Sequence, residues 1–352
     1  EMCIRDRAQG EIFRALMMFR MARLWGSFPV ITTIAKTITS DNINEVYPTY
    51  YPPRKSPKEC YEQIIADLTD AEKYAPDNDN SDRTKMTKTV AQAMLAKVYA
   101  EKEVQDYDKV ITYADKVIKT TGVELEDSYE TLWGYDETTK DCLKRNTKEG
   151  ILEVHWTTGS GNWETYFTWA KWITPSRDII NDFEKEGDEI RKNQAIVYYA
   201  CTWSNYYPAS NYPFMYKLRS SYSNIYWIRL ADIILMKAEA EAYKGNLDES
   251  AKLVNQIRKR AKLKELTSDK TNSKEAMIEA VLHERRLELA FEGERWFDLC
   301  RNNKVEKYLN GIDNRDKGRI KQVKLFDSNS YLLPIPQTAL DQNTNLEQNP
   351  GY

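Results

Sequence analysis

Histidine is almost absent from this chain: among 352 residues only His155 and His283 occur. That is too few for a histidine-based metal centre, and neither has a serine, cysteine or second histidine nearby for nucleophilic catalysis. The five cysteines (Cys3, Cys60, Cys142, Cys201 and Cys300) stand far apart with no paired spacing. They give neither a zinc knuckle nor a disulfide framework, and nothing in the chain calls for a cofactor. No apolar run approaches the ~20 residues that a membrane-spanning helix needs. Neither sign of charge dominates: the formal net charge is -3 although 30% of residues are charged. The concentrated basic face that nucleic acid requires is therefore missing. A secretory signal is missing too, because the chain is already in a helical pattern by Ala8. A start inside a helix implies an absent amino-terminal portion.

What the sequence has in quantity is tyrosine and tryptophan, 23 and 9 against 9 phenylalanines. Both pair a flat apolar face with a polar tip, which suits a surface that must be sticky yet wet. Helical periodicity runs through most of the chain. Residues 8–25 place Ile12, Leu16, Phe19 and Ala22 on one face and stop at Gly26. After a stretch punctuated by Pro48, Pro52, Pro53 and Pro57, a helix is predicted over 58–74, ending before Pro76. Two helix pairs follow, 88–103 with 107–120 and 230–243 with 247–263, the second joined by Gly245-Asn246. Ala96 and Ala238 sit mid-helix, where partners must approach closely. The pattern is that of tetratricopeptide helix–turn–helix units. More than a hundred residues separate the two pairs, so a regular solenoid is not expected. One long helix is predicted over 273–302.

The fold class that results is mainly α, with tetratricopeptide-like helix pairs and a long loop-rich insertion. The expected organisation is a single domain over 1–352. It has helical pairs at 8–121, an aromatic insertion at 122–227, a helical pair and long helix at 228–302, and a carboxy-terminal tail at 303–352. Within the insertion, Ile151-Leu152-Glu153-Val154-His155-Trp156 reads as a strand, and the rest as loops and short strands.

Three segments carry a resemblance to a known family. The first runs from Ala8-Gln9-Gly10-Glu11 to Arg20-Met21-Ala22-Arg23-Leu24-Trp25-Gly26-Ser27-Phe28-Pro29-Val30. The second is Ile228-Arg229-Leu230-Ala231-Asp232-Ile233-Ile234-Leu235-Met236-Lys237-Ala238-Glu239-Ala240. The third joins His283-Glu284-Arg285-Arg286-Leu287-Glu288-Leu289-Ala290-Phe291-Glu292-Gly293-Glu294-Arg295-Trp296-Phe297-Asp298-Leu299 to Tyr331-Leu332-Leu333-Pro334-Ile335-Pro336-Gln337 and Asn349-Pro350-Gly351-Tyr352. Together and in this order they resemble the SusD/RagB-like family. The resemblance implies a non-catalytic, lipid-anchored protein of the outer-membrane cell surface. It implies capture of an oligosaccharide or polysaccharide and delivery to a SusC-like TonB-dependent transporter barrel. The family's lipid-modified cysteine and long amino-terminal portion have no counterpart here, and Cys3 lacks the small-residue context of a lipidation site. Any membrane contact is then through an anchor that this chain does not carry.

Two groups of residues compete for the functional role. The acids and arginines from Glu284 to Asp298 look chemically loaded, and a glycosidase needs two carboxylates ~5–10 Å apart across a sugar bond. At helical spacing, however, these charges pair along and between helix faces, and the structural reading is the one adopted. His155, beside Trp156, reads as a satisfied, partly buried histidine. The aromatics of the insertion are the better candidates. Trp163, Tyr166, Trp169 and Trp172 lie within ten residues beside Gly159, Gly161 and Asn162, and Trp203, Tyr206, Tyr207 and Tyr212 are interleaved with Asn205 and Asn211. Flat rings take the C–H face of a sugar and neighbouring amides take its hydroxyl rim. Trp163, Tyr166, Trp169, Trp203, Asn205, Tyr206 and Tyr207 are the predicted ligand contacts, with no catalytic and no metal-binding residue. The competing view is that some rings merely anchor loops to the helices. A helical-repeat scaffold that binds protein or peptide and no glycan is the alternative function.

Overall fold

The computed structural model describes residues 2–136, 138, 139, 141–156, 173–219, 222–316 and 321–352. Helix α1, Met2–Trp25, buries Ala8, Ile12, Ala15, Phe19 and Ala22 against α2, Pro57–Tyr74. It stops where predicted: Gly26 turns at φ +71° and its N–H donates to the Ala22 carbonyl at 2.9 Å. Ser56 and Glu59 form a reciprocal capping box at the start of α2, with Pro57 in the first turn. Arg14 reaches across from α1 to clamp the Asp67 carboxylate through two 2.7 Å bonds.

Helix α3, Lys88–Val98, is the centre of the molecule. Of its eleven residues only Lys88 and Gln92 are not buried. It ends five residues earlier than the periodicity suggests, and the chain turns there so that Asp106 can donate its N–H to the Tyr99 carbonyl. Asp106 in turn caps α4, Tyr107–Ile118.

The chain then leaves the bundle for an excursion that holds more regular structure than loops and strands. It contains α5 (Tyr129–Trp133), β1 (Gly150–His155), α6 (Arg177–Glu186), α7 (Glu189–Ala195), β2 (Ile196–Tyr199), β3 (Tyr212–Met215) and β4 (Asn224–Arg229). Two antiparallel pairs result, β1 with β4 and β2 with β3. In the second, Val197 faces Phe214 and Tyr199 faces Tyr212.

β4 runs directly into α8, Leu230–Lys244, which Gly245 terminates at φ +84° before α9, Leu247–Arg260. Although distant in sequence, α4 packs on α8, so the two predicted helix pairs are neighbours in space. The row is α1, α2, α3, α4, α8, α9, with α10 (Lys274–Glu288) packing on both α8 and α9. Ala96 and Ala238 are fully buried within it, as close helix approach demands.

The single long helix expected over 273–302 is two. After α10 the chain breaks at 289–294 and resumes as α11, Arg295–Arg301. Phe291 sits at φ +65° and Gly293 at φ +85°, values no continuous helix contains. Gly293 is the signal the sequence offers; the left-handed phenylalanine has none.

The tail returns to the end of α1. Leu333 donates its N–H to the Leu24 carbonyl at 2.7 Å, and the Asn349 side-chain amide donates to the carbonyls of Trp25 and Leu333. Arg54 completes the clasp, donating to the carbonyls of Trp25 and Ser27 and to the Asn349 side-chain oxygen. Residues scattered along the sequence thus form one hydrogen-bonded knot around the last carbonyls of a helix, which have no partner within it.

Candidate functional site

Of the predicted contacts, Trp163, Tyr166 and Trp169 lie outside the described residues, as does Trp172. The others fall in the loop that joins β2 to β3, closed by bonds from Cys201 N–H to the Ala209 carbonyl (2.7 Å) and from Asn211 N–H to the Pro208 carbonyl (3.1 Å). Trp203 is 63% exposed and leans on Phe214 with its ring centre 5.9 Å away. Asn205 is exposed beside it.

Tyr206 and Tyr207 are half-buried, in an edge-to-face pair with centres 4.7 Å apart. The Arg177 guanidinium lies 4.3 Å from both ring centres and donates to the Tyr206 carbonyl and to Asp316. The Tyr206 hydroxyl donates to the same Asp316 carboxylate, and the Tyr207 hydroxyl to the Pro175 carbonyl at 3.0 Å. Burial, with the neighbouring Tyr206 second, raises the Tyr207 hydroxyl above the usual phenol range, so it stays a donor. Tyr212 is buried, its hydroxyl 2.9 Å from Ser204. The loop thus divides by depth. Trp203 and Asn205 face water, Tyr212 is core, and Tyr206 with Tyr207 brace the loop from below.

Two exposed rings of the same hairpin lie beyond the residues predicted from the sequence: Tyr198 at 36% and Tyr199 at 39%. Strand register puts Tyr199 on the face that carries Tyr212 and Phe214, the face Trp203 leans on. The β-branched and aromatic run Ile196–Tyr199 is the signal that could find the strand. Nothing local marks Arg177 or Asp316, which reach the loop from α6 and from residues after α11.

A cleft of about 400 Å³ opens beside this loop, joined to it through the Tyr207–Pro175 bond. Residues 174–176 before α6 form one side, with Ser176 capping that helix, and the broken turn after α10 forms the floor. Trp296 and Tyr308 form walls.

The charged segment of α10 is buried and paired. Glu288 accepts from three arginines: Arg191 at 3.1 Å, Arg229 at 2.7 Å, and Arg260. Arg229 also reaches Glu149 and Glu292, and Arg191 reaches Glu284. On the other side of the helix Arg285 bonds Asp298 at 2.9 Å and Asp232 at 2.7 Å. Burial alone would raise Glu288, but the Arg260, Arg229 and Arg191 cations together outweigh it and hold the carboxyl well below its ordinary range. A carboxylate so held stays ionised and is a poor proton donor, the opposite of what a glycosidase acid requires of Glu288.

Glu101 goes the other way, raised by burial to about 7. It lines a small cavity of about 70 Å³ with Arg23, Tyr61 and Tyr331. His155 is satisfied as expected, 2.8 Å from Glu153, which also accepts from the Asn224 amide. Among the described residues no group of three His, Cys, Asp or Glu could hold a metal ion, and no helix is long and apolar enough to cross a membrane.

Known proteins resemble the chain over most of its length. A family profile described as "SusD family" matches residues 75–352, and one described as "Starch-binding associating with outer membrane" matches residues 5–100. The SusD-like protein P2 of Formosa agariphila is 27% identical, the match covering 98% of this chain and 74% of that protein. A SusD-like protein from Bacteroides fragilis superposes with a TM-score of 0.75 at 21% identity, over 99% of this chain and 80% of its own. A SusD superfamily protein from Parabacteroides distasonis gives 0.75 at 25% identity, covering 98% and 78%. A laminarin-binding SusD-like protein gives 0.71 at 23% identity, covering 99% and 79%.

Proposed function

The chain belongs to the SusD family, and on that premise we propose that it holds a glycan without cutting it, on the exposed face of the β2–β3 loop. The observation that carries this reading is Trp203, an indole left 63% exposed on a loop that is otherwise tied down. A large flat apolar ring facing water, with an amide at Asn205 beside it, matches the two sides of a pyranose: a C–H face to stack and hydroxyls to bond. The brace of Arg177, Tyr206, Tyr207 and Asp316 fixes the loop beforehand, so little ordering entropy is lost when a ligand arrives. Tyr206 and Tyr207 add their accessible ring surface. Trp163, Tyr166 and Trp169 are proposed as further stacking rings.

The profile described as starch-binding and the laminarin-binding relative support saccharide as the ligand class. Paired and charge-locked carboxylates on α10 support binding without hydrolysis. We extend the reading to cargo delivery: the intact protein is anchored by lipid at the outer-membrane surface and passes glycan to a SusC-like TonB-dependent barrel. A shallow platform suits that task, since modest affinity holds a chain and still releases it.

The test is calorimetric titration of starch- and laminarin-derived oligosaccharides against wild type and Trp203→Ala. Loss of one stacking ring removes about 1–2 kcal/mol, a roughly 5- to 30-fold weaker Kd, with unfolding unchanged. Absence of heat or gel retardation with every glycan, together with retained binding of a protein partner, would favour the helical-repeat scaffold instead.

A further inference from the structure

The cleft beside the loop holds a cation that no carboxylate of the described residues contacts directly, although Asp298 and Asp182 act on it from farther off. Three arginines line it, and two are saturated: Arg285 by Asp232 and Asp298, and Arg286 by Asp178 and Asp182. Arg295 forms no ion pair among the described residues. Its one hydrogen bond goes from Nη1 to the Leu282 carbonyl at 3.0 Å, and its guanidinium lies 4.7 Å from the centre of the Tyr308 ring. A guanidinium carries five N–H donors. None of the nitrogens of Arg295 is buried without a partner, so the unused donors keep access to solvent, and the residue lines the cleft. Asp178, the carboxylate of the lining, is already bound by Arg286 at 2.9 Å.

The backbone that forms the floor is strained. Phe291 occupies the left-handed region at φ +65°, a conformation costly for a bulky side chain and held here by the surrounding packing. Strain of this kind accumulates where a site must be shaped. It breaks what would otherwise be one helix and so leaves the space into which Arg295 opens. Burial, with the neighbouring Arg286 second, pulls the Arg295 guanidinium down to about 10, the mark of a cation short of stabilisation. An anion in the cleft would supply it. Trp296 and Tyr308 offer flat walls on either hand.

We propose that this cleft is a second subsite that seats an acidic group of the bound saccharide, a ring-borne carboxylate or sulfate ester, with Arg295 as its forked hydrogen-bond donor. The inference rests on the glycan reading and narrows it: the preferred cargo is an anionic oligosaccharide, stacked on the hairpin and anchored by charge in the cleft. Two oxygens of one anion, whether on a planar carboxylate or a tetrahedral sulfate, match the guanidinium fork, which is why arginine suits this task better than lysine.

The experiment is calorimetric titration of the full chain with three oligosaccharides of equal length: a galacturonate oligomer, a sulfated galactan oligomer and a neutral glucan. Wild type, Arg295→Met and Arg295→Lys are compared at low and high salt. The expected result is that one acidic oligomer binds about tenfold tighter than the neutral glucan, with the advantage shrinking as salt rises. Arg295→Met abolishes that advantage, Arg295→Lys keeps part of it, and neutral binding is unchanged in both. Which acidic oligomer responds identifies carboxylate or sulfate as the group. Equal affinity of wild type for acidic and neutral oligomers overturns the inference and leaves the glycan reading standing, an outcome that needs no variant to fold. An acidic preference that survives Arg295→Met overturns the assignment to this cleft. Failure of every oligomer to bind removes both readings together.

Discussion

Replacing Glu288 by alanine separates a structural role for the charged helix from a chemical one. Its two oxygens serve Arg191, Arg229 and Arg260, and all four side chains are almost wholly buried. Removing the carboxylate leaves the three guanidiniums with Asp188, Glu149, Glu284 and Glu292, and Glu284 and Glu292 are already shared with Arg258 and Lys217. Breaking a buried pair from one side costs about 3–5 kcal/mol, because the orphaned charge cannot return to water. The unfolding entropy of a 352-residue chain is on the order of 0.7 kcal/mol/K, so the melting temperature should fall by roughly 4–7 °C. pH gives an independent check. The folded-state carboxyl is held below its ordinary range, so its contribution is whole above the unfolded pKa of about 4.3 and is lost as pH falls further toward the folded value. Between pH 5 and 7 wild type and variant should therefore differ by a constant amount, and the gap should close in the acid limb. Urea unfolding followed by tryptophan fluorescence across that range measures both, and glycan affinity is taken where each protein is folded. A loss below about 1 kcal/mol would refute the network argument. Sugar hydrolysis by wild type that the variant lacks would make Glu288 catalytic and defeat the binding-only reading.

Further expectations are smaller and local. Lys262 is exposed at φ +57° in the turn that ends α9, so Lys262→Gly should raise stability by about 1 kcal/mol in the same unfolding assay. Ser56→Ala removes the reciprocal cap of α2 and should cost about 1 kcal/mol. Asn349→Ala strips the carbonyls of Trp25 and Leu333 and one oxygen partner of Arg54. It should lower stability by about 1–3 kcal/mol and speed proteolysis of the tail, read by limited digestion, while leaving glycan affinity as in wild type.

The helices are legible because burial and periodicity agree in them. α2 appears almost to the residue, since Pro57 and Pro76 mark its ends and Ile64, Leu68 and Ala71 its inner face. Where a helix is buried all round, as α3 is, the stripe vanishes and periodicity carries its end too far. The break after α10 depends on Phe291 adopting a conformation that its side chain opposes, which only the surrounding packing imposes. The loop aromatics are visible as a group, yet their depth is not. Trp203 and Tyr212 are both rings among polar residues, yet Trp203 faces water from the loop while Tyr212 is packed with Phe214 and Tyr207 in the hairpin. Spacing groups Arg295 with its neighbours as an ion-pairing residue. What sets it apart is the lack of a carboxylate, a fact of three dimensions with no trace in spacing.

The contact of α4 with α8 brings residues 118 and 230 close together, and the excursion between them is tied back to the helical row through Arg191 to Glu284 and Glu288 of α10 and through Glu149 to Arg260 of α9. Lengthening such an excursion raises the entropy of closing it only with the logarithm of its length. The row can therefore keep its packing while the appended hairpin, cleft wall and rings are rewritten, extended or exchanged. The exposed rings of the hairpin can change at little cost to the frame, whereas Glu149, Arg191 and Arg229 are fixed by their place in the buried charge network of α10.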